Sequence, residues 1–140
     1  MMKQYQNEEE INALVASFIA KTLPLPEWTH EAHLIVAIWF LSKYKIEEAI
    51  CLLRSGIITY NQAVGTENSA TKGYHETLTL FWAHIIAGFL ERNKYKTLLE
   101  TCNNFLLSEE ATREYPLNFY SREVLFSTKA RAFWVEIENS

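Results

Sequence analysis

Phe40-Leu41-Ser42-Lys43-Tyr44-Lys45-Ile46-Glu47 is the stretch that decides how this chain folds. Around it, positions 32, 36, 39, 43, 46, 50, 53, 57, 60 and 64 keep a nearly unbroken three-then-four spacing, with only Lys43 polar among them. That is the apolar stripe of an α-helix, and one helix over 29–64 would satisfy it. Such a helix would run roughly 54 Å at ~1.5 Å per residue, too long for a compact domain of this size. A break at 42–45 is the favoured reading, with Lys43, Tyr44 and Lys45 forming a basic end to the first segment.

Outward from that break the signals are helical. Asn7-Glu8-Glu9-Glu10 reads as a cap, and Ile11, Leu14, Val15, Phe18 and Ile19 follow at helical spacing, predicting a helix over 8–21. Pro24 and Pro26 force an extended link. Thr29 caps the next helix, which runs to Lys43, and Trp28 is expected to pack on His33. A third helix is expected over 46–64, with Leu52, Leu53, Ile57 and Tyr60 inward. Positions 65–73 form the only long polar loop. A fourth helix spans 74–92 with Leu78, Phe81, Trp82, Ile85, Ile86 and Phe89 as its stripe, and a fifth covers 95–107 after a turn at Asn93-Lys94. Pro116 interrupts the tail, where Ser121 and Ser127 each cap a short helix, the second ending near Val135. There is no strand pattern and no repeat. The expectation is an all-α, single-domain fold over 1–140: about five main helices plus short C-terminal ones.

Composition narrows the function classes. The net charge is −4 and no basic run of five residues occurs, so the stripe that neutralises nucleic-acid phosphates is missing. The longest fully apolar run, 34–41, is too short to span a bilayer, and the polar, acidic N-terminus lacks a secretory pattern. A cytoplasmic protein with neither nucleic-acid nor membrane partners is expected. Eight Phe, seven Tyr and four Trp are many rings for one small core, which points to a ligand groove or a homo-oligomer interface. Cys51 and Cys102 fit no metal or redox spacing, and Cys51, set among apolar residues, reads as a reduced core thiol.

Chemistry concentrates in two phrases, Trp28-Thr29-His30-Glu31-Ala32-His33 and Gly73-Tyr74-His75-Glu76-Thr77, each at the start of a helix. If the chain turns at 42–45, short links make successive helices antiparallel. The two helix starts and the polar loop then share one end of the bundle. A ring near a helix N-terminus is held neutral by the dipole, and a neutral imidazole is a metal ligand or a base. His30, His33 and His75 are the candidate ligands of a divalent metal such as zinc, with Glu31 or Glu76 as acid–base partner. Asn68, Thr71 and Lys72 of the loop, and Arg122 of the tail, are candidate contacts to a small-molecule ligand. The competing reading makes these histidines caps and packing residues. His84, about two and a half turns into its helix, is read as a bonded core or supporting histidine.

Familiar catalytic spacings fail. His30-Glu31-Ala32-His33 is one residue short of the zinc-protease pair, Gly65 to Gly73 lacks phosphate-loop order, and no Pro-Cys-x-x-Cys or Gly-x-Ser-x-Gly occurs.

Trp28 to His33, Tyr60-Asn61-Gln62-Ala63-Val64-Gly65-Thr66 and Gly73 to Thr77 resemble phrases of a small family of bacterial all-helical proteins, over positions 28–134. That resemblance implies the helical fold and supplies neither substrate nor catalytic residue. At the level of fold alone a three-histidine bundle is also similar to the DinB-like metal proteins, whose histidine spacing is not reproduced here. Two functions remain in view. One is a small-molecule binder or metal-assisted enzyme; the other is a non-enzymatic interaction or homodimerisation module with structural histidines.

Overall fold

The turn at 42–45 exists, and its last two residues, Tyr44 and Lys45, are extended. In the computed structural model, which describes residues 4–137, helix α2 (His30–Lys43) ends at Tyr44, and α3 (Ile46–Ala63) starts after Lys45. Both linking residues have ψ near 155°, incompatible with a continuing helix. Residues 1–3 and 138–140, the two ends of the expected domain, lie outside the described residues.

The other main helices are α1 (Glu8–Ala20), α4 (Glu76–Arg92) and α5 (Leu98–Leu107), with short α6 (Arg122–Leu125) and α7 (Thr128–Ala132) in the tail. No strand forms among the described residues. Sequence chemistry explains the starts. Asn7, Thr29, Ser121 and Ser127 each accept a backbone N–H at the head of a helix, and Thr97 with Glu100 forms a reciprocal capping box. α1 and α3 each end one residue earlier than expected, at Ala20 and Ala63, and three boundaries move further. α4 begins at Glu76 rather than at 74, because His75 is its cap. α5 begins at Leu98 rather than at 95, because the capping box fixes it there and leaves Tyr95 98% exposed. The last helix stops at Ala132, short of Val135.

α2 is the central helix. Leu34, Ile35, Val36, Ala37 and Ile38 are consecutive and all buried, so it is covered on nearly every side. α1, α3, α4 and α5 all pack on it. A second, smaller cluster joins Phe81 of α4 to Tyr120 and Leu125 of the tail, so α4 lies between the main core and the C-terminal segment.

Four expected positions are overturned. Ile19 is 51% exposed, since α1 buries the face of Ile11, Val15 and Phe18 and Ile19 falls beside it. Leu52 and Cys51 are exposed because α3 buries Ala49, Leu53 and Tyr60, and both residues stand off that face. The core thiol is Cys102 instead, and burial pushes it up to about 12. His84 is exposed on α4, its ring 6.2 Å from that of Trp134.

Tyr60 connects the two ends of the α1–α3 region. Its ring is fully buried against Phe18 and Trp28, and its hydroxyl donates to the Leu23 carbonyl at 2.8 Å. Tyr60→Phe leaves that buried carbonyl without its donor, so urea denaturation should report a loss of about 1–2 kcal/mol with an unchanged m-value. An unchanged midpoint would show that the bond contributes nothing net.

Candidate functional site

Loop 65–75 is built from its own backbone requirements. Gly65 and Gly73 have φ near +80°, and a Cβ on Gly73 would stand 2.3 Å from the Glu67 carbonyl oxygen. Asn68 holds the loop in place. Its Oδ1 accepts from Asn61 Nδ2 at 2.9 Å and from the Tyr74 N–H at 3.0 Å, while its Nδ2 donates to the Ile58 carbonyl. Beyond the loop, Glu76 takes two bonds from Arg54, at 2.9 and 2.6 Å, and a third from the Tyr74 hydroxyl at 2.6 Å. Burial opposes ionisation of Glu76, but the Arg54 and Tyr74 bonds outweigh it and hold the carboxyl below its ordinary range.

His30, His33 and His75 line one cavity of about 750 Å³, together with Trp28, Trp82 and Asn61. The helix starts do meet. The three rings, however, are used in different ways. His75 Nδ1 accepts the Leu78 N–H at 3.1 Å as the cap of α4, and its Nε2–H donates to the Leu125 carbonyl at 2.7 Å. Both nitrogens are therefore occupied. His30 donates from Nε2 to the Ala111 carbonyl at 2.8 Å, and His33 donates from Nδ1 to the Thr29 carbonyl at 2.7 Å. A carbonyl can only accept, so these bonds fix the tautomers. They leave His30 Nδ1 and His33 Nε2 as lone-pair acceptors with no protein partner. No partnerless side-chain nitrogen or oxygen is fully buried among the described residues, so neither atom is completely enclosed.

Each of the two open histidines is backed by a tryptophan. His33 stacks on Trp28 with ring centroids 3.7 Å apart, and Trp28 stacks in turn on Phe18 at 4.6 Å. Trp82 meets His30 edge-on at 5.5 Å. Burial keeps the rings neutral. It pushes His33 down to about 4 against the opposing effect of the Thr29 bond. Burial also lowers His30, with Arg113 adding to it, and lowers His75, with Arg131 adding there.

The remaining expected site residues divide. Arg122 lies on the cavity wall. Glu31 and Glu76 do not: Glu31 sits beside the site, where its charge favours protonated His30, and Glu76 is spent on Arg54 and Tyr74. Asn68 shapes the loop, and Thr71 and Lys72 are exposed away from the cavity. The expected three-histidine ligand set is not assembled. No group of three or more His, Cys, Asp or Glu among the described residues is placed to hold a metal. The reason lies in His75, whose two nitrogens are occupied, which leaves two donors where a zinc site takes at least three from the protein.

Sequence reasoning missed Arg113, Glu114 and Asn61 on the cavity wall. Arg113 and Glu114 follow a short 3₁₀ turn, Glu109–Ala111, whose last carbonyl holds His30. No periodicity marks such a segment. The tail that completes the wall is tied to α4 by the His75–Leu125 bond, by Thr77 Oγ1 donating to the Phe133 carbonyl, and by Arg131 donating to the carbonyls of Gly73 and Tyr74.

No protein-family model, curated protein or solved structure matches the chain. No helix among the described residues is long and apolar enough to cross a membrane. The functional reading therefore rests on the cavity.

Two outcomes follow from the histidine geometry. His75→Ala removes the cap of α4 and its tie to the tail, and should cost about 1–3 kcal/mol in chemical denaturation; a full-stability variant would contradict the bonding described. His33 gives a pH signature. Its ordinary value is 6.5 and its folded value about 4, so below 6.5 the unfolded chain takes up a proton that the folded ring refuses. The stability that neutral His33 contributes is complete above 6.5 and is lost as pH falls towards 4. The stability difference between wild type and His33→Gln should shrink across that window. A pH-independent difference would exclude a depressed His33.

Proposed function

We propose that this protein binds a small organic molecule in the cavity at the shared starts of α2 and α4. A volume of about 750 Å³ is within the range of small-molecule sites, and its wall mixes rings and aliphatic side chains with a few polar atoms. The observation that carries the reading is the pair of open acceptors, His30 Nδ1 and His33 Nε2, on rings whose other nitrogens are fixed by backbone carbonyls. Held neutral and rigid, such atoms hydrogen-bond a ligand without reorganising.

A second reading, self-association, is favoured by exposed Leu107, Phe126 and Phe133, which are 69%, 54% and 67% exposed. Light scattering separates the two: a monomer at about 0.1 mM would dismiss a stable dimer.

Ala37, buried on α2, lines the cavity, and a ring there would fill it. A fragment screen by thermal shift, followed on tryptophan fluorescence from Trp28 and Trp82, should yield hits that Ala37→Phe abolishes while the variant stays folded. No hits on wild type, or hits indifferent to Ala37→Phe, would end this reading.

A further inference from the structure

The chain has five arginines, and their partners sort them. Arg54 is paired with Glu76 and Arg92 with Glu110, while Arg131 donates to two backbone carbonyls. Arg113 and Arg122 make no ion pair or hydrogen bond to the described residues. Those two, and no other arginine or lysine, lie on the wall of the cavity. Glu114 is its one carboxylate. In a chain of net charge −4, the wall thus carries two cations against one anion, an excess of one positive charge. The sign of the protein as a whole and the sign of its cavity are opposite.

The neutral part of the wall adds a second requirement. His30 Nδ1 and His33 Nε2 are acceptors only, so they reward a donor on the ligand and repel a carbonyl or ether oxygen placed against them. The ring-rich surroundings, from Trp28 and Trp82 to Leu34 and Leu78, favour an apolar body between the polar ends.

Resting on the small-molecule reading, we propose that the ligand is a monoanionic organic acid with a flat apolar body and a hydroxyl or N–H donor. The carboxylate is held by Arg113 and Arg122, whose planar guanidinium groups match its geometry. The donor bonds to His30 or His33. A single negative charge balances the excess on the wall, where a phosphomonoester, at close to two charges, would overshoot it.

The probes are para-hydroxyphenylacetate and indoleacetate, each compared with its methyl ester and with its O-methyl or N-methyl acid, by calorimetry on the full chain. At least one acid should bind about tenfold more tightly than either of its analogues. Arg113→Gln with Arg122→Gln should weaken the acid by about tenfold and leave the methyl ester unchanged. These exposed arginines carry no structural bond, so the double variant should unfold at the wild-type temperature. His33→Phe, which keeps a ring against Trp28, or else His30→Phe should narrow the gap between the free donor and its methylated analogue, and a gap that neither variant moves would overturn the donor assignment. Esters that match the acids, or acids indifferent to the arginine pair, would overturn the anionic assignment. Acids that fail to bind while Ala37→Phe-sensitive fragment hits persist would overturn this inference and leave the small-molecule reading standing. Absence of every such hit would remove both.

Discussion

The cavity depends on the reversal of the chain at Tyr44 and Lys45. Two extended residues there convert a stretch of helical periodicity into a hairpin of α2 and α3, and α4 then runs beside α2 with its start at the same end. Interrupting a helix forfeits intrahelical hydrogen bonds, which water can replace at an exposed turn. Burial repays it. Ala49 and Leu53, just past the turn, are nearly inaccessible, as is most of α2. Around the turn, Phe40 stacks on Tyr44 at 6.1 Å and Lys43 lies over Trp39 at 5.6 Å. Those contacts are local, so the reversal is supported by its own residues as well as by the core it creates.

Given that hairpin, three histidines at one end was a geometric consequence, but equal roles for them was not. The difference lies in what each ring meets. His75 stands outside its helix as the cap, where a ring nitrogen can accept the Leu78 N–H, and the tail supplies Leu125 on the other side. His30 and His33 lie inside the first turn of α2, so each reaches only one backbone carbonyl. An imidazole with two fixed partners adds rigidity and costs stability when removed. One with a single fixed partner is oriented and still open. The same residue type thus provides both the frame and the open acceptors of the cavity wall.

Much of the fold was legible because it rests on local rules. Asn7, Thr29, Ser121 and Ser127 are at helix starts where capping chemistry puts them, and the break at 42–45 followed from helix length and the basic end at Lys43 to Lys45. The failures share a cause. Ile19 and Leu52 fit a helical stripe as well as their buried neighbours do, Cys51 merely stands next to apolar residues in the chain, and only the placement of adjacent helices decides which edge is covered. The site was legible in outline for the same reason. Its histidines are at helix starts, while Arg113 and Glu114 arrive through irregular backbone whose position depends on tertiary contacts. Glu76 illustrates the converse. It looked reactive beside His75, but Arg54, twenty-two residues away, takes both of its oxygens.

The C-terminal segment is more than a cover for α4. It contributes Arg122 and Leu125 to the wall, and its attachments run through His75, Thr77 and the Gly73–Tyr74 backbone, the same short stretch that starts α4 and closes the loop. Cavity and tail docking therefore share groups. By linkage, any molecule that touches Arg122 or Leu125 only in the docked state strengthens docking by as much as docking strengthens its binding. The bond between His75 Nε2 and the Leu125 carbonyl is the narrowest point of that coupling. It joins the start of α4 to the cavity-lining turn of the tail through one ring, whose Nε2–H holds the tail while its Nδ1 lone pair, available only in the neutral ring, holds the Leu78 N–H.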